Sequence, residues 1–256
     1  MMRNSYYIAK VVYLESLKNF TLISMVIFGT AIFIASLFLN NVMLGEYNKL
    51  VVDIALSLPV LIGLIIIIFT GTRLVYDEIE KKTIYLYASK PIKRWEFMLG
   101  KFFGLSAVFI VITIILSIIA FIFMKFLHIN YNIQYLLSLL FSIVELMIVL
   151  SVTMFFSSFS ATPILTGVFS FGAYFAGHFA MDVYEYSVMT GNQILKILSR
   201  IAYYLLPNLS FYNIQKEVTH GINISSNQIV YVLSYGILYM IIMLILSVII
   251  FERKEF

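Results

Sequence analysis

The sequence predicts an all-α, polytopic membrane protein with six transmembrane helices and both termini in the cytoplasm. Of its 256 residues, 62% are hydrophobic and only 12% are charged, whereas a soluble domain has about 45–50% apolar and about 25% charged residues. So few charges cannot cover a water-soluble globule of this size. The composition therefore excludes a soluble enzyme and a nucleic-acid-binding module, and it makes the lipid bilayer the first expected partner. A chain without cysteine also has no disulfide and no thiolate metal site.

The first three spans are bounded by charged residues. A transmembrane helix needs about 20 mostly apolar residues, because the hydrocarbon contains no water to bond stray backbone groups. Residues 19–45 (with an apolar centre at 20–39), 54–72 and 102–124 meet this requirement. Residues 1–19 carry mixed charges and no cleavage site follows them, so we expect an interfacial N-terminal helix rather than a signal peptide.

Spans four and five share one long apolar stretch. Between Phe126 and Met181 the only formally charged residue is Glu145, and this stretch is too long for a single helix. Residues 157–163 read Ser-Ser-Phe-Ser-Ala-Thr-Pro, and hydroxyl residues before a proline favour a turn there. The sixth span lies near residues 229–251, which gives six in all.

The distribution of basic residues predicts the orientation. Twelve of the 17 Lys and Arg residues fall at the N-terminus, between spans two and three, or in the C-terminal tail, and five fall in the alternate connections. Because cytoplasmic loops are enriched in Lys and Arg, both termini are expected inside, in the cytoplasmic membrane. Residues 1–256 then form one transmembrane domain with a long extracytoplasmic loop at 182–227.

This outer loop contains a predicted amphipathic helix. Within residues 192–208, apolar side chains recur at helical spacing, with Lys196, Ser199 and Tyr203 on the opposite face. The apolar face comprises Ile194, Leu195, Leu198, Ile201, Ala202 and Leu205. Such a helix lies in the membrane interface or dips into the bundle.

Residues 73–101 hold most of the cytoplasmic polar groups. Tyr76, Ile79, Thr83 and Leu86 fall on one helical face, and the charged residues Asp77, Glu78, Lys81 and Lys82 occupy the other. Two acid-before-base pairs at i,i+4 spacing each contribute about 0.2–0.5 kcal/mol. We expect a short amphipathic helix that ends at Ser89-Lys90-Pro91, followed by a helix with Arg94 in its first turn.

Two interpretations of this segment are open. A basic loop can rest on anionic lipid headgroups. However, Asp77, Glu78, Glu80 and Glu96 alternate with the bases, which weakens attraction to lipid and suits a protein partner better. The pattern favours a helix that lies crosswise beneath the bundle and offers its charged side to a soluble protein.

The same segment resembles the loop of type-2 ATP-binding-cassette (ABC) transporter permeases. The resemblance rests on Glu78-x-Glu80-x-x-Thr83, then Ser89-Lys90-Pro91-Ile92-x-Arg94, then Phe97-x-x-Gly100-Lys101. The predicted topology is also similar to that of the family: six spans, termini inside, an interfacial helix before the first span and a long outer loop before the last. One departure is Lys82, which stands where the family usually has glycine.

The resemblance implies that this chain is a non-enzymatic permease subunit of an exporter. A separate ABC ATP-binding subunit would bind ATP, a second permease copy would complete the conduit, and the outer loop would close the outer gate. No cofactor is expected in this chain, which lacks a Gly-x-x-x-x-Gly-Lys-Ser/Thr phosphate loop. The resemblance assigns coupling with the ATPase subunit to Asp77, Glu78, Glu80, Lys81, Lys82, Thr83, Ser89, Lys90, Pro91 and Arg94.

Glu145 is the candidate polar site inside the membrane. A carboxylate at this depth costs about 2.5–3.5 kcal/mol on insertion scales, so it faces protein, faces a wet cavity or is protonated. It either contacts substrate or relays protons, or it bonds a neighbouring helix, for example through Ser106, Thr113 or Tyr174. The first reading supports an alternative function, a secondary ion-coupled transporter. His178 is expected to be an interfacial polar residue, and the three His residues form no metal motif.

Overall fold

The computed structural model of the chain describes residues 2–18, 20–36, 47–73, 76, 93–129, 134–160, 162–214, 217–218, 222 and 224–253. All regular elements in these ranges are helical, which confirms the all-α class. The α-helices are α1 (Met2–Leu17), α2 (Phe20–Ser36), α3 (Tyr47–Ile66), α4 (Arg94–Phe126), α5 (Gln134–Phe159), α6 (Pro163–Thr190), α7 (Gln193–Leu205) and α8 (Ser226–Arg253). A π-helical turn, Ile67–Gly71, continues α3, and a 3-10 helix lies at Leu209–Tyr212.

Five of the described helices are long and apolar enough to cross a membrane. They are α3 with its π turn, α4, α5, α6 and α8, and they coincide with predicted spans two to six. The predicted first span falls on α2, which has 17 residues. Helices α1 and α2 meet at 57°, and counting this bent pair as one span raises the number to six.

Two spanning helices extend beyond the predicted boundaries. Helix α4 has 33 residues, or about 50 Å at 1.5 Å per residue, whereas the hydrocarbon is about 30 Å thick. Helix α6 continues past Met181 through Asp182 and Glu185 to Thr190. In both cases a charged residue ends the hydrophobic window but does not end the helix, because a helix outside the hydrocarbon tolerates charge.

Helices α3, α4 and α5 form the core of the described bundle, and α6 and α8 lie at its periphery. In the most apolar window of each helix, 61% of α5 is buried, against 33% of α6 and 22% of α8. The exposed side chains of α6 include Phe171, Phe175 and Phe179. The two peripheral helices therefore present wide apolar faces to lipid or to another chain.

The first turn of α1 and the last turn of α8 lie at the same end of the bundle. Asn4 of α1 contacts Glu96 at the start of α4, and Arg94 contacts Glu252 at the end of α8. The Ser247 hydroxyl of α8 donates to the carbonyl of Met154 near the end of α5. We call this the inner end, because its basic residues predict a cytoplasmic location, and the opposite end the outer end.

Helix α1 packs closely along the inner half of α4. A Cβ atom added at Gly104 would lie 2.8 Å from the Ala9 carbonyl oxygen and 2.8 Å from the Val12 Cβ, and one added at Gly100 would lie 2.8 Å from the Ile8 Cβ. These two glycines let the helices approach more closely than side chains would allow. The α1 helix thus joins the bundle along α4 instead of resting on lipid alone.

The predicted turn between spans four and five is present. Thr162 caps α6 by accepting a hydrogen bond from the Leu165 N–H at 3.3 Å. Pro163 follows as the first residue of α6, where its missing N–H leaves no helical bond unmade. Helices α5 and α6 are therefore antiparallel neighbours, and residues at similar distances from the turn face each other.

Candidate functional site

Most of the predicted coupling residues lie outside the described residues. These are Asp77, Glu78, Glu80, Lys81, Lys82, Thr83, Ser89, Lys90 and Pro91. Arg94 is described, and it begins α4 directly after this segment. The structure therefore shows where the segment enters the bundle.

Arg94 joins the start of α4 to the end of α8. Its Nη1 atom donates hydrogen bonds to the carbonyl oxygens of Phe251 at 3.1 Å and Glu252 at 2.9 Å. The last carbonyls of a helix have no donor within the helix, and a positive charge there is favoured by the helix dipole. One guanidinium thus satisfies two backbone groups and fixes one helix end against another.

Glu96 joins the same turn to α1. Its Oε2 atom accepts hydrogen bonds from the Lys93 N–H at 3.1 Å and from the Asn4 side-chain amide at 3.2 Å. The first of these bonds caps α4 at its N-terminus, where a negative charge is stabilising. Glu96 is only 2% exposed, so this carboxylate is a structural part of the inner end.

Aromatic contacts reinforce the link between α4 and α8. The rings of Phe97 and Phe251 stack with centroids 5.9 Å apart and an interplanar angle of 11°, and Lys101 Nζ lies 4.9 Å from the Phe97 ring centroid. We call the set Asn4, Arg94, Glu96, Phe97 and Phe251 the α4 junction. Of this set, the sequence predicted a coupling role only for Arg94, and Phe97 belonged to the family motif. Glu96 was expected to suit a soluble partner, whereas in the structure it is buried and caps α4. Lys93 precedes α4, and Glu96 follows it by three residues. A glutamate at this spacing is a helix-start signal, which indicates its capping role.

Glu145 pairs with His178 inside the bundle. The Glu145 Oε1 atom lies 2.9 Å from His178 Nε2, and the carboxylate side chain is 4% exposed while the imidazole is 19% exposed. The pair links α5 to α6. Tyr174, one turn before His178, packs the edge of its ring against the imidazole, with centroids 4.7 Å apart.

Of the three expected partners of Glu145, Tyr174 on α6 does interact with the carboxylate through its hydroxyl, whereas Ser106 and Thr113 do not bond it. The Ser106 hydroxyl donates to the Phe103 carbonyl of its own helix, and the Thr113 hydroxyl has no hydrogen-bond partner among the described residues. His178 is a partner of Glu145 and does not act only as an interfacial residue. The signal in the sequence was positional: residues 145 and 178 lie at similar distances from the turn at 157–163, so antiparallel helices bring them together.

A short segment folds back into the outer end of the bundle. We call residues 207–212 the outer cap. The Asn208 N–H donates to the Tyr235 hydroxyl at 2.8 Å, and the Tyr212 hydroxyl donates to the Val232 carbonyl at 2.8 Å. Both partners are on α8, so the outer cap is bonded to the peripheral helix of the bundle.

Two glycines make room for the outer cap. A side chain on Gly177 would overlap the Pro207 carbonyl and touch Leu209, and one on Gly236 would overlap the Tyr212 hydroxyl. Leu209 and Tyr212 are almost completely buried. Because Gly177 directly precedes His178, and Gly236 meets both Tyr212 and Val144, the cap reaches the level of the Glu145–His178 pair.

Helix α7 presents its apolar face outward. Ile194, Leu198 and Leu205 are at least 60% exposed, whereas Ser199 on the polar face is 5% exposed. The Ser199 hydroxyl lies 2.7 Å from the Ser187 hydroxyl of α6. The predicted amphipathic helix is therefore present, and it turns its apolar face towards lipid or another chain while its polar face contacts α6.

These features define a multi-pass helical membrane protein in which Arg94, Glu96 and Glu145 each bond a neighbouring helix. The family model of ABC-2 family transporter proteins matches residues 8–256, nearly the whole chain. The chain therefore belongs to the ABC-2 transporter family, a family of membrane-transporter components that are not themselves catalytic. Among curated proteins, none gives a significant match. The family predicted from residues 78–101 is confirmed.

The link between α5 and α6 can be tested by separating the charge of Glu145 from its hydrogen bond. Glu145→Leu leaves the partly buried imidazole of His178 without its carboxylate partner, and we expect a loss of about 1–3 kcal/mol. Glu145→Gln keeps an acceptor for His178 and should lose less. Adding His178→Leu to Glu145→Leu should recover part of the loss, because an apolar pair can replace a buried polar pair.

The measurement is thermal unfolding of the purified protein in detergent. The unchanged chain, Glu145→Leu, His178→Leu and the double leucine variant form a double-mutant cycle, and Glu145→Gln is measured beside them. Equal losses for Glu145→Leu and Glu145→Gln, together with additive effects of the two leucine substitutions, would contradict the structural role of this pair.

Proposed function

We propose that this chain is the permease subunit of an ABC exporter in the cytoplasmic membrane and that a separate subunit supplies ATP hydrolysis. The family match supports the permease assignment, and the absence of a phosphate loop from the sequence supports a separate ATPase. The observation that carries the proposal is the α4 junction. It lies directly after the segment whose motif resembles the ATPase-coupling loop.

The α4 junction explains how a movement of that segment would reach the membrane helices. The first turn of α4 is bonded to α1 through Glu96 and to α8 through Arg94. A force applied before residue 94 would therefore act on α1, α4 and α8 together instead of on α4 alone. This is what a coupling segment needs if it is to change the shape of the bundle.

The ion-coupled alternative has less support. Ion-coupled carriers are expected to hold coupling ions at broken helices in matching halves. Glu145 is the only carboxylate near the centre of a predicted span, and His178 of the neighbouring helix already bonds it. Membership of the ABC-2 family favours the ATP-driven reading of the same chain.

The association with an ATPase subunit is tested by co-purification. Glu78→Lys combined with Glu80→Lys should abolish capture of the ATP-binding subunit, because both acids belong to the motif that resembles the coupling loop. The matched control is Asp182→Lys with Glu185→Lys, which reverses two exposed acids near the outer end of α6. The control should retain the subunit.

Membrane insertion must remain intact in both double variants, as judged by their amount in the membrane fraction. Retention of the ATPase subunit by the Glu78→Lys, Glu80→Lys chain would contradict the proposed contact. Loss of the subunit from both chains would show that the effect is not specific to the segment.

We also propose that α7 and the outer cap form the outer gate. The cap enters the bundle to the level of the Glu145–His178 pair, and α7 contacts α6 through Ser199 and Ser187. Opening this end requires α7 and the cap to move away from α6. A homodimer or a related heterodimer would place a second copy of these elements across the conduit.

A disulfide between α6 and α7 tests the gate. Cysteine is nearly the size of serine, and the chain has no native cysteine, so Ser187→Cys with Ser199→Cys should cross-link cleanly on oxidation. We expect the oxidised complex to lose most of its ATP turnover and to recover it on reduction, with each single variant insensitive to oxidant. Equal turnover of the oxidised and reduced double variant would contradict movement of α7 relative to α6.

A further inference from the structure

A small cavity with several hydroxyl side chains in its lining lies where α3, α4 and α5 meet. Its volume is about 10 Å³, which is the room that one water molecule needs. None of the described residues that line it carries a charged side chain. Those that matter for its chemistry are Ala55 and Pro59 of α3, Thr113 and Ser117 of α4, and Ser138 and Ser142 of α5.

Pro59 removes one hydrogen bond from α3 at this cavity. It lies inside the helix, and proline has no N–H to donate to the carbonyl four residues earlier. The carbonyl of Ala55 therefore lacks its normal helical donor. At membrane depth bulk water cannot supply the missing bond, so a side chain, a neighbouring helix or an ordered water must do so.

Thr113 brings an unpartnered hydroxyl to the same cavity. The residue is 1% exposed, and its Oγ1 atom has no hydrogen-bond partner among the described residues. Buried Ser and Thr in helices usually donate back to their own backbone, as Ser142 does to the Ser138 carbonyl at 2.9 Å and Thr153 to the Val149 carbonyl at 2.9 Å. Thr113 departs from this pattern, and it does so at the cavity where Pro59 leaves the Ala55 carbonyl without a helical N–H donor.

We propose that this cavity binds one ordered water molecule that replaces the hydrogen bond lost at Pro59. The water donates to the Ala55 carbonyl and exchanges a hydrogen bond with the Thr113 hydroxyl. Its surroundings suit a neutral ligand, because they offer hydroxyl and carbonyl groups without a carboxylate to balance a cation. A donor that is not part of the helix lets α3 bend at this point, so the water makes Pro59 a hinge.

The hinge stands in the helix that leads to the predicted coupling segment. From Pro59, α3 continues to the π turn Ile67–Gly71, a second place where the regular helical bonding changes. The segment that resembles the coupling loop begins at residue 73. This functional role of the hinge rests on the proposed ATP-driven function, whereas the water site itself does not.

The water site is tested on the purified permease by thermal unfolding. Thr113→Val should lower the melting temperature by about 2–4 °C, the shift expected for one lost hydrogen bond in a chain of this size. Thr113→Ser, which keeps the hydroxyl, should lose less. In a Pro59→Ala background Thr113→Val should have little effect, because the N–H of residue 59 then bonds the Ala55 carbonyl directly.

Pro163→Ala is the matched control, since Pro163 is the first residue of α6 and removes no helical bond. It should not change the effect of Thr113→Val. The proposal is overturned if Thr113→Val costs the same with and without Pro59, or if Thr113→Ser is as harmful as Thr113→Val.

Two measurements on the assembled complex complete the test. High-resolution electron microscopy should show a water peak about 2.7–3.2 Å from both the Ala55 carbonyl and the Thr113 hydroxyl oxygens, and its absence where other buried waters are seen would overturn the site.

ATP turnover should fall several-fold in Pro59→Ala but not in Pro163→Ala. Unchanged turnover in Pro59→Ala would overturn the hinge. If no ATPase subunit binds, the proposed function fails while the unfolding measurement still decides the water site.

Discussion

The hydrogen bonds from Arg94 to the last carbonyls of α8 are the contact on which the inner end of the bundle depends. A helix that leaves the membrane exposes carbonyl groups without donors, and here the donor comes from the first turn of another helix. Glu96 extends the same turn to α1 through Asn4. Three helices that are distant in sequence therefore meet at one turn, and this turn follows the segment that resembles a coupling loop.

The interior of the bundle obeys the same constraint, because a polar group in hydrocarbon must find its partner inside the protein. The carboxylate of Glu145 finds it across the α5–α6 boundary in His178. The carbonyl of Ala55 lacks its helical donor at Pro59. The same cavity is lined by Thr113, whose hydroxyl has no hydrogen-bond partner in the part of the chain that the structure describes. The first place holds two helices together beside the outer cap. The second is the place where we propose that α3 bends. A transporter needs both properties, since some contacts have to persist while the bundle changes shape.

The sequence was sufficient to predict the spans, the turn before α6 and the outer amphipathic helix, because each follows from a local pattern of apolar, charged or turn-forming residues. The family was also predictable, since residues 78–101 carry its motif. What could not be predicted were the contacts between helices. The pairing of Glu145 with His178, the bonds of Arg94 to α8 and the outward apolar face of α7 all depend on how the helices pack. No short-range pattern encodes the rotation of one helix against another. The antiparallel register of α5 and α6 does restrict the residues of α6 that can be partners of Glu145.

The proposed coupling requires that the inner ends of α1, α4 and α8 move as one unit when the ATPase subunit closes. Spin-label distances in the assembled complex test it most directly, and the chain has no native cysteine to remove. Labels at Tyr7 of α1 and Arg253 of α8, both exposed, should keep their separation when a non-hydrolysable ATP analogue is added. The distance from either label to a third at Phe159, the exposed last residue of α5, should change. A nucleotide-dependent change between Tyr7 and Arg253 would contradict the account.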